Sequence, residues 1–320
     1  MELAFLTPLG ALVGLVALIP LAIYRARERR LHGIRAALRL DEPSRESRFS
    51  FLAALAAVCG LVALAAAQPV LATTREVRER TDAQVFLAID TSRSMLASEG
   101  PGAPTRFDRA REIAKGLAGE LTEVPVGVAS MTDALLPHLF PTTDRQVLAA
   151  TLGKTLDIES PGPSTFFSTR ATTYDALEAA PTLNYFPPGA KKRVLVVFSD
   201  GESRPLERDL ATAFDREPKI KTVFVRLWDA GERIYLTGVA EFGYSADPKS
   251  EAVLAEIASM IGGRVVSEGD TEGLRQAVVD LLGTGPTMDR RHEGDRLALM
   301  PWITLAAFLP LGFVLLRRNL

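Results

Sequence analysis

"VFLAIDTSRSM", residues 85–95, is the stretch whose reading decides the fold. "AQVFLAI" (83–89) is apolar apart from Gln84, the pattern of a strand covered on both faces in a parallel sheet. It passes straight into Asp90, Thr91, Ser92 and Ser94, with Arg93 between the two serines. Two readings fit that crowding of oxygens. One is a polar turn capping the next helix; the other is a site for a hard cation, which takes oxygen ligands.

Outward from this stretch, strand and helix patterns alternate. "TRFDRAREIAKGLAGEL" (105–121) places Ala110, Ile113, Ala114, Leu117 and Leu121 on one helical face, with Thr105 and Asp108 at capping-box spacing. "PVGVASM" (125–131) and "ALLPHLF" (134–140) read as a strand and a short neighbour, and 143–156 as a helix. A Pro/Gly/Ser-rich loop (157–170) leads to a helix from Thr172, then to the strand "RVLVVFSDG" (193–201). A helix at 205–215, a strand at 221–228, a helix at 248–261, a short strand "RVVS" and a helix at 271–282 complete the pattern. Strands separated by such helices imply βαβ units and an α/β fold with a doubly wound, mainly parallel, Rossmann-like sheet.

The apolar residues are distributed unevenly. Leu3–Tyr24, Phe49–Ala67 and Leu297–Leu316 carry no charge over 22, 19 and 20 residues, each long enough to cross about 30 Å of hydrocarbon as a helix. The expected organisation is three transmembrane helices (1–24, 49–67, 297–316), a basic connector (25–48), a stalk (68–82), a central domain (83–285), a linker (286–296) and a tail (317–320). The connector holds eight arginines against four acids, and the tail reads "RRNL"; both belong in the cytoplasm by the positive-inside rule, which places the central domain outside it. The second run, preceded by arginines and ending "ALAAAQP", also fits a cleaved signal segment. A net charge of −2 argues against nucleic acid as a partner, and one cysteine, Cys59, forms no disulfide framework.

In an open α/β sheet the ligand site lies where loops leave the carboxyl ends of strands. Three features meet there: Asp90, Ser92 and Ser94; the threonine-rich turn "STRATTYDAL" (168–177); and Asp200 with Gly201 and Glu202. Asp-x-Ser-x-Ser after one strand, with Asp200-Gly201 ending another, resembles the von Willebrand factor A domain and its metal-ion-dependent adhesion site, over about residues 83–285. Two spans before such a domain and one after it resemble the BatA/BatB-type bacterial membrane proteins, which are associated with MoxR-type AAA+ ATPases.

That resemblance implies that Ser92 and Ser94 bind a divalent cation directly, and that Asp90 and Asp200 act mostly through water. Mg2+ comes first, with Mn2+ or Ca2+ as alternatives. One coordination position is then left for an acidic side chain of a partner protein. Arg93 stands where many relatives have glycine, and its side chain is expected to point to solvent. The family's loop threonine falls, without gaps, on Ala171, so Thr172 is expected to supply that oxygen. Arg93, Phe166, Phe167 and Glu202 are candidates for touching the partner, although Phe166 and Phe167 also fit packing under their own loop.

Enzyme readings find little support. No second carboxylate follows Asp90 by two residues, and no G-x-S-x-G elbow or phosphate-cradling G-x-x-x-x-G-K-[ST] loop is present. His32, His138 and His292 lie far apart in different settings. Two non-enzymatic expectations remain: a cation-dependent interaction module, which the resemblance would partner with other such membrane proteins and, through the connector, with a MoxR-type ATPase, or a metal-free membrane scaffold.

Overall fold

The structure, a computed structural model, describes residues 2–17, 45–159, 171–207 and 209–318, together with 19, 22, 23, 26 and 30. It divides into two units, Val77–Arg290 and a second made of Met1–Glu76 with Arg291–Leu320.

The central unit is built on six strands: β1 (Ala83–Asp90), β2 (Val126–Met131), β3 (Leu135–Thr142), β4 (Lys192–Ser199), β5 (Ile220–Arg226) and β6 (Arg264–Ser267). Its main helices are α1 (Arg106–Glu120), α2 (Arg145–Ala150), α3 (Leu210–Phe214), α4 (Ser250–Ile261) and α5 (Thr271–Leu282). The strand order is β6-β5-β4-β1-β2-β3. All neighbours are parallel except the β2–β3 pair, which is antiparallel and carries register irregularities.

From Val85 to Ile89 β1 is apolar because both of its faces are covered. Val85, Leu87 and Ile89 pack into a cluster with Phe107, Ala110, Ala114 and Leu117 of α1 and with Leu274 and Val278 of α5. Phe86 and Ala88 join the opposite cluster, with Tyr174, Leu177, Phe186, Leu254 and Ile257. Alternate side chains of a strand point to opposite faces, so a doubly covered strand favours apolar residues at successive positions. β1 ends at Asp90, with Ile89 paired to Phe198 of β4. That register sets the polar ends of β1 and β4 side by side.

Several helices are shorter than their patterns suggest. The 143–156 helix ends as a π turn (Thr151–Thr155) after α2. The segment after Thr172 begins as a 3-10 turn, Tyr174–Glu178, because Thr173 stays extended and its side chain accepts the Asp175 N–H. Among the described residues of 205–215 only Leu210–Phe214 is helical; Asp209 caps it, and Pro205 disfavours helix in the residue before it. A small antiparallel sheet also departs from the expected pattern: Ala97–Ser98 pairs with Arg233–Leu236, which pairs in turn with Val239–Ala240.

The second unit corrects three expectations. The first apolar run is not one α-helix: Glu2–Phe5 is a strand paired with Pro69–Ala72, followed by a 3-10 run, Pro8–Ala17. Ten 3-10 residues rise only about 20 Å, short of a hydrocarbon core. Close packing explains the segment's shape, since a Cβ at Gly10 would lie 2.1 Å from the Ala66 carbonyl oxygen and one at Gly14 2.9 Å from the Ala63 Cβ. The stalk and linker are not irregular either: Pro69–Arg80 and Thr287–Ala298 are strands of one three-stranded sheet. Their pairing satisfies backbone groups across more than 200 residues of sequence, which no local periodicity reveals.

Among the described residues one helix, Phe49–Ala66 within Arg45–Ala66, is long and apolar enough to cross a membrane; Met300–Leu316 is a shorter apolar helix. Most of the connector lies outside the described residues.

Candidate functional site

Asp90 is fully buried, and hydrogen bonds engage both of its carboxylate oxygens. The Ser92 amide donates to Oδ1 at 2.9 Å, Ser199 Oγ donates to Oδ2 at 2.7 Å, and Thr172 Oγ1 lies 2.9 and 3.0 Å from the two oxygens. Tyr174 extends the chain, its hydroxyl 2.8 Å from Ser199 Oγ. Burial raises the Asp90 carboxyl pKa above its ordinary range, and these donors oppose the rise. Thr172, one residue beyond the gapless family position at Ala171, therefore reaches the first loop. Its backbone is fixed by the Arg204 amide, which donates to the Thr172 carbonyl at 2.9 Å.

The two serines face each other, Ser92 Oγ and Ser94 Oγ standing 3.0 Å apart. Asp200, at the end of β4, is as buried as Asp90. Its Oδ1 accepts the Glu202 amide at 2.9 Å and its Oδ2 accepts Arg106 Nη1 at 2.9 Å, while the Ser94 hydroxyl helps to hold its pKa down. Burial, then the charges of Asp90 and Glu202, push its pKa up to about 7 against the pull of Arg106. Asp90, Ser92, Ser94, Thr172 and Asp200 thus form one linked cluster drawn from three loops.

Glu202 is also drawn in. Its Oε1 accepts from Arg106 Nη1 at 3.0 Å, from the Tyr244 hydroxyl at 3.1 Å and from the Asp247 amide at 3.1 Å. Arg93 does not point freely to solvent; its Nη2 pairs with Glu241 Oε2 at 2.8 Å. A cavity of about 560 Å3 opens over the cluster, lined by Ser92, Ser94, Thr172, Glu202 and Tyr244, with the exposed Phe242 at its edge. Phe166 and Phe167 lie outside the described residues. His138 bonds Ser130 Oγ at 2.8 Å, and burial lowers its pKa.

The residues that sequence reading missed are Arg106, Glu232 and Tyr244. Arg106 follows the capping residue Thr105 and reads as an ordinary first-turn residue of α1; only its zero exposure marks it. Glu232 and Tyr244 flank the unforeseen hairpin and have no motif around them.

The donor set is all oxygen. Among the described residues no group of three or more His, Cys, Asp or Glu side chains could hold a metal, so hydroxyls would have to complete any coordination shell. The set fits a small hard cation. Ligands at about 2.1 Å in an octahedron stand about 3.0 Å from their neighbours, the separation of the two serine oxygens.

Residues 85–202 match the sequence profile of the von Willebrand factor type A domain. The matched segment runs from β1 to the turn after β4 and so holds Asp90, Ser92, Ser94, Thr172 and Asp200. Among solved structures, BatB from Bacteroides thetaiotaomicron is similar at 20% identity and a TM-score of 0.50, over 62% of this chain and 98% of that one. An aerotolerance-related membrane protein from Bacteroides fragilis, with multiple mutations to serines, matches at 20% identity and a TM-score of 0.49, with coverage of 62% and 98%. Proximal thread matrix protein 1 from the mussel byssus, described with a zinc-occupied MIDAS motif, matches at 16% identity and a TM-score of 0.42, with coverage of 76% and 54%. At these identities the likeness is one of fold. No curated protein matches the chain.

Proposed function

We propose that this chain is a membrane-anchored binding protein whose von Willebrand factor A domain grips partner proteins through a divalent cation. Ser92, Ser94 and Thr172 would supply hydroxyl oxygens, and Asp90 and Asp200 would supply the negative charge behind them. The observation that carries the reading is the 3.0 Å separation of Ser92 Oγ and Ser94 Oγ, beside two fully buried carboxylates. Two buried carboxylates side by side are costly without a compensating positive charge. Mg2+ suits this small set better than Ca2+, which takes six to eight oxygens at longer distances. When bound, the ion supplies a Lewis-acidic position for a carboxylate of the partner. A set of hydroxyls and carboxylates suits holding a cation and, through it, a partner's carboxylate, so the function proposed is binding.

The helix Arg45–Ala66 and the apolar helix Met300–Arg318 are read as membrane spans. The arginine-rich connector and the tail are placed in the cytoplasm, where a MoxR-type ATPase would meet them, and the domain on the other side. A metal-free scaffold is the second reading. It is favoured by Arg106, which already neutralises Asp200.

Crosslinking in native membranes, with and without a chelator, tests the proposal. A partner captured by the wild-type chain should be lost on chelation and in Ser92→Ala/Ser94→Ala. Equal capture under all three conditions would overturn the cation-dependent reading in favour of the scaffold.

A further inference from the structure

Arg106 is fully buried, yet four side chains surround its guanidinium, three of them carboxylates. Nη1 reaches Asp200 Oδ2 at 2.9 Å, Glu202 Oε1 at 3.0 Å and the Tyr244 hydroxyl at 3.0 Å, while Nε donates to Glu232 Oε2 at 2.5 Å. Glu232 is shared with Arg109, whose Nη2 lies 2.6 Å from its other oxygen. One cation therefore connects Asp200 at the end of β4, Glu202 two residues on, and both flanks of the hairpin segment 232–244. The two site carboxylates are treated differently. Asp90 is satisfied by hydroxyls and an amide alone, whereas Asp200 has a permanent positive charge against it.

We infer that Arg106 is the site's built-in cation, a positioning residue that keeps Asp200, Glu202 and the hairpin assembled before any ion arrives and whose charge lowers the affinity for that ion. The inference rests on the cation-binding reading above. A guanidinium bonded to Asp200 and a divalent ion drawn to the same carboxylate repel each other through a poorly screened interior, so removing the guanidinium charge should strengthen ion binding by about tenfold. A guanidinium that only braced the fold would have no such effect on affinity.

The test is titration of the full chain in detergent with Mn2+, read by the free-ion electron paramagnetic resonance signal, for wild type, Arg106→Gln, Arg106→Lys and Glu232→Gln. Arg106→Gln should bind about tenfold more tightly than wild type, and Arg106→Lys, which keeps the charge, close to wild type. Wild-type binding with equal or weaker binding by Arg106→Gln overturns the role given to Arg106 and leaves the cation site standing. Absence of binding by both overturns the cation site and this inference with it. Should Arg106→Gln fail to fold, Glu232→Gln decides: it leaves the guanidinium with one fewer neutralising partner, so Mn2+ affinity should fall by about threefold, and unchanged affinity overturns the inference.

Discussion

At the scale of single residues, the site depends on short polar side chains placed where a buried strand runs out. Thr172 bridges both oxygens of Asp90, so Thr172→Ala should leave a buried carboxylate under-bonded. Folded stability should drop by about 1–3 kcal/mol in chemical denaturation, and Mg2+ affinity by about tenfold in calorimetry. Thr172→Ser should restore both, because it keeps the hydroxyl. Asp200 gives a pH signature. Its pKa rises from 3.8 to about 7 on folding, so the folded state binds that proton more tightly than the unfolded chain does. This contribution to stability is fully present below 3.8 and is lost as pH climbs through about 7. Thermal melts of cation-free protein from pH 4 to 8 should show a decline that Asp200→Asn flattens. A bound cation, which favours the ionised carboxylate, should oppose the decline. Equal slopes for the two proteins would exclude Asp200 as its source.

Among the elements, the turn after β4 is the most constrained. Gly201 has φ +82°, and a Cβ there would sit 2.6 Å from the Ser250 carbonyl oxygen at the start of α4. Gly201→Ala should therefore cost about 1–3 kcal/mol through strain and displacement of α4, measured as a lowered denaturation midpoint. Glu202 should shift with it, since its amide bonds Asp200. The start of α1 was readable in advance: Thr105 and Asp108 make the reciprocal capping bonds that their spacing implies. The central strands were equally readable, because strands covered on both faces carry apolar runs such as Val85–Ile89 and Val194–Phe198. The hairpin around Arg233–Leu236 was not, since its pairing with Ala97–Ser98 joins residues more than 130 apart.

At the level of the whole molecule, the central unit begins and ends at one place. Arg80 donates to the carbonyls of Leu282 and Gly283 at 3.3 and 2.8 Å, capping α5, and the Thr81 amide donates to the Pro286 carbonyl at 3.1 Å. A domain whose two ends are tied together can be carried by apolar segments on either side of it in sequence. The proposed topology makes Cys59, the single cysteine, a probe of the bilayer. A membrane-impermeant maleimide should leave Cys59 unlabelled in sealed vesicles and label it after detergent. In a Cys59→Ser background, Arg35→Cys and Asp280→Cys should label from opposite sides. Labelling of both from the same side would overturn the assigned orientation.

The sequence alone determined the strand-to-helix alternation, the two aspartates that end strands, and the neighbouring serines, because burial on both faces forces a polar residue to the strand's edge. It also marked Thr172 as the available hydroxyl once Ala171 had replaced the usual one. Only the tertiary structure decided that Pro69–Arg80 and Thr287–Ala298 are strands of one sheet, that Arg93 pairs with Glu241, and that Arg106 stands beside Asp200. Each of these is a pairing between distant segments. Local periodicity carries no trace of the partner, because the two sides of each pairing meet only across space.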